Sequence, residues 1–318
     1  MNNDLISVTS KYLTESVTDI HPLDGGHINS SYLVMTDTDK YVLQCLNSDL
    51  YTDHLTDLTN NYLQYKSACE RTCGSDEKWI CPEWLKTENG QFFHTDISGK
   101  TWRLYRYIPG DTTPLSDPYT AGMGLGKMHR ILRACKAEDI TPILPDLHNL
   151  KHYYAKYLAI VDVPKRDTEL DRVISDNIDL MLVSSVPSDA IIHGDAKVSN
   201  MITQNDTIVS FVDLDTLMPG SLYDDLADCI RSCCISKNGE IDSDCVDRLL
   251  KGYEAGADMH LNSDMREMVT SNIRKNCFML GLRYYTDHLT GNRYFAESYP
   301  GQNIEKASRL LTLCTRIG

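Results

Sequence analysis

The hydrophobic pattern of the chain changes its period near Pro109-Gly110-Asp111. Before this point, short apolar runs such as residues 29–35 and 41–46 lie between turn-forming residues, which predicts β-strands. After it, apolar residues recur at steps of three and four over long segments, which predicts helices. Because proline and glycine interrupt regular structure, the sequence predicts a hinge here between two domains, residues 1–109 and residues 110–318.

The first domain is predicted to be an antiparallel sheet with one helix packed on it. An amphipathic helix that carries Leu55 and Leu58 on one face is expected to end near Gly74, and further β-type runs cover residues 91–94 and 101–108. The helical patterns of the second domain begin at Asp117-Pro118 and then cover about residues 147–161, 167–185, 223–235, 241–258 and 263–290. The predicted fold class is α+β, with a small antiparallel-sheet N-lobe and a larger, mostly helical C-lobe.

Composition argues against several classes of function. The 318 residues carry a formal net charge of -14 and contain no basic cluster, which argues against nucleic-acid binding. No stretch approaches the roughly 20 apolar residues of a membrane span, and the N-terminus lacks a signal-peptide pattern, so we expect a cytoplasmic protein without a membrane partner. The eleven cysteines include no CxxC pair, so we expect reduced, mostly structural thiols rather than a zinc site.

The spacing of Gly122, Gly124 and Gly126 superficially matches a dinucleotide-binding fingerprint. In that fingerprint the glycines follow a strand, whereas here they lie inside a predicted helix. We therefore expect these glycines to allow close packing of one helix against another.

The densest group of chemically useful residues is His193-Gly194-Asp195-Ala196-Lys197-Val198-Ser199-Asn200, which is followed by Asp213-Leu214-Asp215. Phosphoryl transfer from ATP requires a carboxylate that orients the attacking hydroxyl, ligands for magnesium and donors for the phosphates. This segment carries residue types for each requirement, and residues 207–212 predict a strand that presents the second acidic group at its end. The segment therefore predicts a phosphotransferase that uses ATP and Mg²⁺.

Each residue of this segment has an expected role. Asp195 is the candidate catalytic carboxylate, and Lys197 is expected to neutralise charge on the transferred group. Asn200 and Asp213 are the candidate magnesium ligands, because Mg²⁺ prefers oxygen ligands. Asp215 is either a further metal ligand or a structural partner.

Separate stretches of the chain carry a family resemblance: Gly25-Gly26-His27-Ile28-Asn29, Tyr41-Val42-Leu43-Gln44, the loop 193–200, residues 213–221 and Gly281-Leu282-Arg283. The loop spacing resembles the protein-kinase-like superfamily, and within it the branch of aminoglycoside phosphotransferases and choline kinases. The whole set is similar to the N-acetylhexosamine 1-kinases, which phosphorylate the anomeric hydroxyl of N-acetylglucosamine and N-acetylgalactosamine. The resemblance covers about residues 20–305 and implies a bilobal, protein-kinase-like fold.

This resemblance implies that ATP binds in the cleft between the lobes. The Gly25-Gly26 turn would cover the phosphates, with His27 and Asn29 directed into the cleft. The adenine would lie near the hinge at Tyr107. Gln44 stands where the wider superfamily usually has a lysine for the α- and β-phosphates, so magnesium and backbone amides would carry more of the phosphate charge.

The resemblance also implies a pocket for a sugar acceptor, formed by Arg283, Asp287 and Tyr294. An arginine can donate several hydrogen bonds to hydroxyl or acetamido oxygens, and a tyrosine can stack on a sugar face. Asp287 lies one helical turn after Arg283, so it is either the ion-pair partner of that arginine or an acceptor for a sugar hydroxyl. The expected partners are therefore a nucleotide and a small sugar.

Two alternatives remain open. The first is a phosphotransferase for another small hydroxyl compound, such as an aminoglycoside, choline, homoserine or another sugar. Aminoglycosides are polycations, which suits the net charge of -14, whereas Arg283 in the pocket argues against them. The second is an inactive, nucleotide-binding pseudokinase, which Gln44 favours. The intact set of Asp195, Asn200 and Asp213 argues against that reading.

Overall fold

The structure, a computed structural model, describes residues 3–23, 28–74, 78–112, 117–161, 163–183, 186–236 and 238–317. Within these ranges, a five-stranded antiparallel sheet occupies the first part of the chain and helices dominate the rest. The predicted α+β fold class is therefore confirmed. Among the described helices, none is both long and apolar enough to cross a membrane.

The sheet follows from the short apolar runs of the first domain. Its strands are β1 (Val17–Leu23), β2 (Ser30–Thr36), β3 (Lys40–Cys45), β4 (Phe93–Thr95) and β5 (Thr101–Arg106). They lie in the order β1-β2-β3-β5-β4, and each neighbouring pair is antiparallel. The sequence pattern does not delimit β1, because this edge strand has no fully buried residue and therefore no clear apolar alternation.

A helix that the sequence pattern does not indicate, α1 (Asn3–Thr9), covers part of the sheet. Its Leu5 and Val8 pack in one cluster with Val34, Leu43 and Leu104, which are completely buried. Helices as short as this one are marginal in isolation, so burial against the sheet is what stabilises it.

The predicted amphipathic helix is α3 (Leu55–Thr72), which follows the short helix α2 (Ser48–Tyr51). On the sheet side, the Tyr62 ring stacks on Trp84 with 4.2 Å between ring centroids. Tyr65 instead belongs to the large cluster of the helical part. The helix α3 therefore connects the core of the sheet to the core of the helices.

The second part of the chain contains α4 (Pro118–Leu132), α5 (Leu150–Leu158), α6 (Thr168–Val183), α7 (Leu222–Cys234), α8 (Ser243–Ala257), α9 (Ser263–Leu289) and α10 (Gln302–Cys314). The first of these begins as predicted, because the Asp117 side chain accepts a hydrogen bond from the N–H of Tyr119 (2.9 Å). The predicted helical segments are confirmed, and α10 is an additional helix. It packs on α9, where Leu311 lies against Gly281.

Two short ladders bring the motif loops together. β6 (Ala190–Ile192) pairs with β9 (Met218–Gly220), and β7 (Met201–Gln204) pairs with β8 (Thr207–Phe211). The loop 193–200 leaves β6 and enters β7, whereas residues 212–217 connect β8 to β9. Because β6 lies beside β9 and β7 beside β8, the two loops lie side by side.

The glycines of α4 pack against α8, as predicted for a helix contact. A Cβ at Gly122 would lie 1.9 Å from the carbonyl oxygen of Leu249. A Cβ at Gly256 on the opposite helix would lie 2.2 Å from the carbonyl oxygen of Met123. Because the nearest atoms are backbone atoms, the two helices can approach this closely only where the side chain is a hydrogen atom.

We expect Gly122→Ala to lower the free energy of unfolding by about 1–3 kcal/mol or more, because the added methyl group forces apart two packed helix backbones. Urea denaturation of the full chain measures this. Gly74→Ala is the matched control, since a Cβ at Gly74 meets no described atom within 4 Å. Equal losses in the two variants would contradict the close packing of α4 and α8.

Candidate active site

The loop 193–200 and the segment 212–217 are joined at Gly194. This residue has a φ of +84°, and a Cβ there would lie 2.4 Å from the carbonyl oxygen of Thr216. The Thr216 hydroxyl in turn donates a hydrogen bond to the carbonyl oxygen of His193 (2.7 Å). The His193 ring lies 2.9 Å, through Nε2, from the carbonyl oxygen of Val212. His193 therefore holds the two loops together.

A buried carboxylate on α7, Asp225, supports the same loop. Its Oδ2 and Oδ1 accept hydrogen bonds from the N–H groups of His193 (2.7 Å) and Gly194 (2.9 Å). His129 on α4 lies 2.9 Å from Asp225 through Nε2 and 2.9 Å from the Tyr253 hydroxyl through Nδ1. Burial, the largest single influence, would raise the pKa of Asp225, but the interactions with His129 and His193 together bring it below its ordinary value. The carboxylate therefore stays ionised and holds the backbone of the loop.

The two predicted catalytic residues and one predicted metal ligand meet in this loop. The Lys197 Nζ lies 2.6 Å from the Asp195 Oδ2. The Asn200 Nδ2 donates to the carbonyl oxygen of Asp195 (2.8 Å) and to its Oδ2 (3.0 Å). Burial raises the pKa of Asp195, but the ammonium group of Lys197, together with His193 and the hydrogen bond from Asn200, outweighs burial, so the pKa lies below the ordinary value. Asp195 is therefore an ionised carboxylate at neutral pH, as a residue that orients a hydroxyl must be.

Asp213 has the opposite electrostatic character. It adopts a left-handed backbone conformation (φ 64°, ψ 51°) at the end of β8. Burial and the charges of Asp215 and Asp195 raise its pKa to about 6. Among the residues that the structure describes, none donates a hydrogen bond to its carboxylate. Its oxygen atoms are therefore available as ligands for a cation.

The oxygen atoms near Asp213 fit a divalent cation. Asn200 uses its Nδ2 to bind Asp195, which leaves its Oδ1 available as a ligand. A carboxylate and an amide oxygen are the kind of donors that Mg²⁺ binds. These two side chains lie in adjacent loops, and the N–H of Val212, next to Asp213, donates to the carbonyl oxygen of Asn200 (2.9 Å).

Asp215 has a buried arginine as its partner. Arg103 Nη1 lies 2.5 Å from its Oδ1, and Arg103 Nη2 lies 2.8 Å from its Oδ2. The side chain of Asp215 has no solvent exposure, and that of Arg103 has 3%. Both carboxylate oxygens are thus engaged, which favours the structural alternative for Asp215 over the metal-ligand alternative. We therefore retain only Asn200 and Asp213 as candidate metal ligands.

Gln44 and Asn29 support this ion pair. The Gln44 Oε1 accepts a hydrogen bond from the Arg103 Nε (2.8 Å). The Asn29 Nδ2 lies 3.4 Å from the Asp215 Oδ2, and its Oδ1 accepts from the N–H of Asn47 (2.9 Å). These two predicted nucleotide contacts are therefore occupied by protein groups. Arg103 was not predicted to belong to the site, because its position opposite Gln44 follows only from the pairing of β3 with β5.

Of the other predicted nucleotide contacts, only Tyr107 lies among the residues that the structure describes. Tyr107 is partly exposed, and its N–H donates to the carbonyl oxygen of Lys40 (3.0 Å) where β5 ends. Gly25, Gly26 and His27 lie outside the residues that the structure describes.

Arg283 on α9 lies among aromatic rings. Its guanidinium carbon is 4.8 Å from the ring centroid of Tyr153, 5.6 Å from that of Tyr294 and 5.5 Å from that of Phe295. Its Nη2 lies 3.5 Å from the Tyr294 hydroxyl. Within the described part of the chain, no carboxylate forms an ion pair with Arg283. The predicted pair of Arg283 and Tyr294 therefore does come together.

Of the two alternatives for Asp287, the ion pair with Arg283 does not form in the structure. The buried Asp287 carboxylate accepts hydrogen bonds from the N–H groups of three successive residues, each at 2.9 Å: Arg293, Tyr294 and Phe295. The chain folds back after α9, so three backbone donors reach Asp287. The role of Asp287 is thus to position the segment that carries Tyr294.

A family model described as the phosphotransferase enzyme family (APH) matches residues 19–260. The chain belongs to this phosphotransferase family. The matched residues include the loop 193–200 and Asp213, so the candidate catalytic and metal-binding residues lie within the matched region, whereas Arg283, Asp287 and Tyr294 lie beyond it. This match confirms the predicted resemblance to the aminoglycoside phosphotransferase branch.

Solved structures of similar fold include several kinases of small molecules. A microcompartment-associated aminopropanol kinase is 15% identical with a TM-score of 0.74, covering 99% of this chain and 96% of its own. A spectinomycin phosphotransferase in complex with ADP is 14% identical with a TM-score of 0.62, covering 98% and 97%. An amicoumacin kinase in complex with AMP-PNP and Ca²⁺ is 11% identical with a TM-score of 0.67, covering 99% and 92%. At these identities the likeness establishes the fold of this phosphotransferase.

We expect Asp213→Asn to stabilise the metal-free phosphotransferase. The carboxyl has a folded pKa of about 6, above its ordinary value of 3.8, so the stability that it contributes is present at low pH and is lost as the pH rises through about 6. Removing the charge should therefore raise the free energy of unfolding by up to about 3 kcal/mol near pH 7.5, and by roughly half as much near pH 5. Urea denaturation in the presence of EDTA measures this.

Asp258→Asn is the matched control, because Asp258 is an exposed aspartate that also has a positive φ (51°). Added Mg²⁺ should stabilise the unsubstituted chain and Asp258→Asn but leave Asp213→Asn unchanged. A loss of metal-free stability in Asp213→Asn, or an equal gain at both pH values, would contradict the electrostatics described for Asp213.

Proposed function

We propose that this phosphotransferase transfers the γ-phosphoryl group of ATP to the anomeric hydroxyl of an N-acetylhexosamine. The proposal of phosphoryl transfer rests on two neighbouring carboxylates. Asp195 is ionised, and Asp213 has no ion-pair partner among the described residues. These are the two carboxylates that the reaction needs, one for the hydroxyl and one for the metal.

In the proposed mechanism, Asp195 accepts a hydrogen bond from the acceptor hydroxyl and orients it for in-line attack on the γ-phosphorus. Lys197 keeps Asp195 ionised and adds positive charge next to the transferred group. Asn200 and Asp213 would hold Mg²⁺, which would neutralise charge on the phosphate oxygens. Because protein groups form no covalent bond to the phosphoryl group, positioning and electrostatics supply the rate enhancement.

The nucleotide is proposed to lie between residues 1–109 and 110–318, with its adenine near Tyr107 and its phosphates below the segment that contains Gly25, Gly26 and His27. Gln44 and Asn29 would act indirectly, by holding Arg103 and Asp215 in place. In this proposal the negative charge of the phosphates is therefore neutralised by Mg²⁺, Lys197 and backbone N–H groups.

A neutral sugar suits the residues around Arg283 better than a polycation does. A guanidinium surrounded by aromatic rings repels the ammonium groups of an aminoglycoside, but it can donate hydrogen bonds to hydroxyl or acetamido oxygens. The adjacent rings of Tyr153 and Tyr294 offer faces on which a pyranose can stack. The resemblance of the sequence to the N-acetylhexosamine 1-kinases supports the same acceptor.

We expect Asp195→Asn to reduce kcat by about 10²–10⁴-fold, because the neutral amide cannot accept the proton of the attacking hydroxyl. The amide keeps the size of the side chain, so the fold and the KM for ATP should change little. A coupled assay for ADP release, with circular dichroism as the control for folding, measures this. Near-normal turnover in Asp195→Asn would refute the proposed mechanism.

We expect Arg283→Met to raise the KM for N-acetylhexosamines by roughly tenfold or more, because charged hydrogen bonds of this kind contribute about 1.5–3 kcal/mol. The KM for ATP should not change. The assay compares ADP release and 1-phosphate formation across N-acetylglucosamine, N-acetylgalactosamine, simple hexoses, choline, homoserine and aminoglycosides. Arg293→Met, at an exposed arginine of the neighbouring segment, is the matched control.

The outcomes of this assay separate the alternatives. Preference for choline, homoserine or an aminoglycoside would establish a phosphotransferase with another acceptor. Nucleotide binding without ADP release on any acceptor would establish the pseudokinase. An equal rise of the hexosamine KM in both arginine variants would remove Arg283 from the acceptor site.

A further inference from the structure

The connection between α7 and α8 brings three cysteines together. Ile235 and Ile241 form an isolated antiparallel bridge, and the N–H of Asp242 donates to the carbonyl oxygen of Cys234 (3.0 Å). This hairpin returns the chain to the end of α7. Cys233 and Cys234 end α7, and Cys245 lies in the first turn of α8.

The sulfur atoms of Cys233, Cys234 and Cys245 all lie within 4.8 Å of one another. In a tetrahedral zinc site the Zn–S distance is about 2.3 Å, which places pairs of sulfur atoms about 3.8 Å apart. The three thiols therefore need to move by about 1 Å or less to bind one ion at these distances. Rotation about the side-chain bonds alone supplies a movement of this size.

The backbone around the three thiols is already ordered. Asp242 accepts a hydrogen bond from the N–H of Cys245 (3.0 Å) and thereby fixes the start of α8. The Cys245 Sγ lies 3.8 Å from the carbonyl oxygen of Cys233, to which it donates. Cys234 is buried, whereas Cys233 and Cys245 are partly exposed, so an ion can reach the group from solvent.

We propose that Cys233, Cys234 and Cys245 form a binding site for one thiophilic metal ion, with Zn²⁺ as the representative ion. Thiolates bind soft and borderline ions of this kind, whereas Asn200 and Asp213 offer oxygen ligands for a hard cation. Binding of Zn²⁺ converts three thiols into three thiolates and releases three protons, and a water molecule completes the fourth position. The two proposed metal sites therefore differ in chemistry as well as in position.

The site would stabilise the helix that supports the catalytic loop. The Ser232 hydroxyl, adjacent to Cys233 on α7, accepts a hydrogen bond from the N–H of Val198 (3.0 Å). Asp225 on the same helix accepts from the N–H groups of His193 and Gly194. An ion that joins the end of α7 to the start of α8 restrains this helix at the end opposite to Asp225.

Binding can be measured on the full chain without any assay of turnover. The reduced protein, prepared with a non-thiol reductant, is titrated with Co²⁺ and then with Zn²⁺ against a chromophoric chelator. We expect one equivalent of Co²⁺ to produce a thiolate-to-cobalt charge-transfer band that Zn²⁺ abolishes. Asp213→Asn should keep this band, which separates the thiol site from the oxygen site.

Cys233→Ser and Cys245→Ser should each weaken Zn²⁺ binding by at least about 100-fold, because losing a direct ligand costs more than the 10–100-fold typical of an outer partner. Cys135→Ser is the matched control, because Cys135 is also partly exposed and its Sγ likewise lies 3.8 Å from a backbone carbonyl oxygen, that of Gln64. Thermal unfolding verifies that each variant is folded.

Three results would overturn the proposal: no charge-transfer band with Co²⁺, equal Zn²⁺ affinity in all the cysteine variants, or a loss in Cys135→Ser as large as that in Cys245→Ser. Cys233 and Cys245 are both partly exposed, so serine at either position should disturb the fold little. If one of the two variants does not fold, the other alone tests the proposal.

Discussion

The ion pair between Arg103 and Asp215 is the contact on which the position of the catalytic segment relative to the sheet depends. Arg103 lies on β5, Asp215 follows the metal-binding candidate Asp213 by two residues, and both members of the pair are buried. Removing one partner of such a pair leaves an uncompensated charge and costs about 3–5 kcal/mol. Gln44 and Asn29 also direct their polar groups at this pair. The cation that the wider superfamily usually places at Gln44 thus comes from the neighbouring strand and binds a carboxylate of the protein.

The two carboxylates of the candidate site are separated in function by their surroundings. Asp195 lies next to Lys197, which holds its pKa below the ordinary value. Asp213 has no such partner and faces two other acids, which raise its pKa to about 6. Lys197 therefore favours the ionised form of Asp195, whereas the charged form of Asp213 is disfavoured until a cation binds next to it. In the proposed mechanism, the position of one lysine therefore distinguishes the carboxylate that orients the hydroxyl from the carboxylate that holds the metal.

The parts of the site that could be predicted are those whose geometry depends on short spacing. Asp195, Lys197 and Asn200 lie in one loop, so their proximity follows from the motif itself, and the periodic segments likewise predicted most of the helices. Arg103 and Asp225 could not be assigned in this way, because their contacts depend on which strands pair and on where α7 packs. The same reason explains α1, which owes its stability to burial against a sheet that its own residues do not encode.

Local spacing also fails when a chain reverses direction. Asp287 lies one turn after Arg283, a spacing that made an ion pair one of its two expected roles. The segment that follows α9 instead folds back and supplies three backbone donors to Asp287. The three cysteines show the opposite case, in which residues meet although their spacing in the sequence does not predict it. No CxxC spacing links Cys234 to Cys245, yet the hairpin at Ile235 and Ile241 places their sulfur atoms within 4.8 Å. In both cases the path of the backbone, fixed by its hydrogen bonds, decides which side chains come into contact. The spacing of residues along the sequence does not reveal that path.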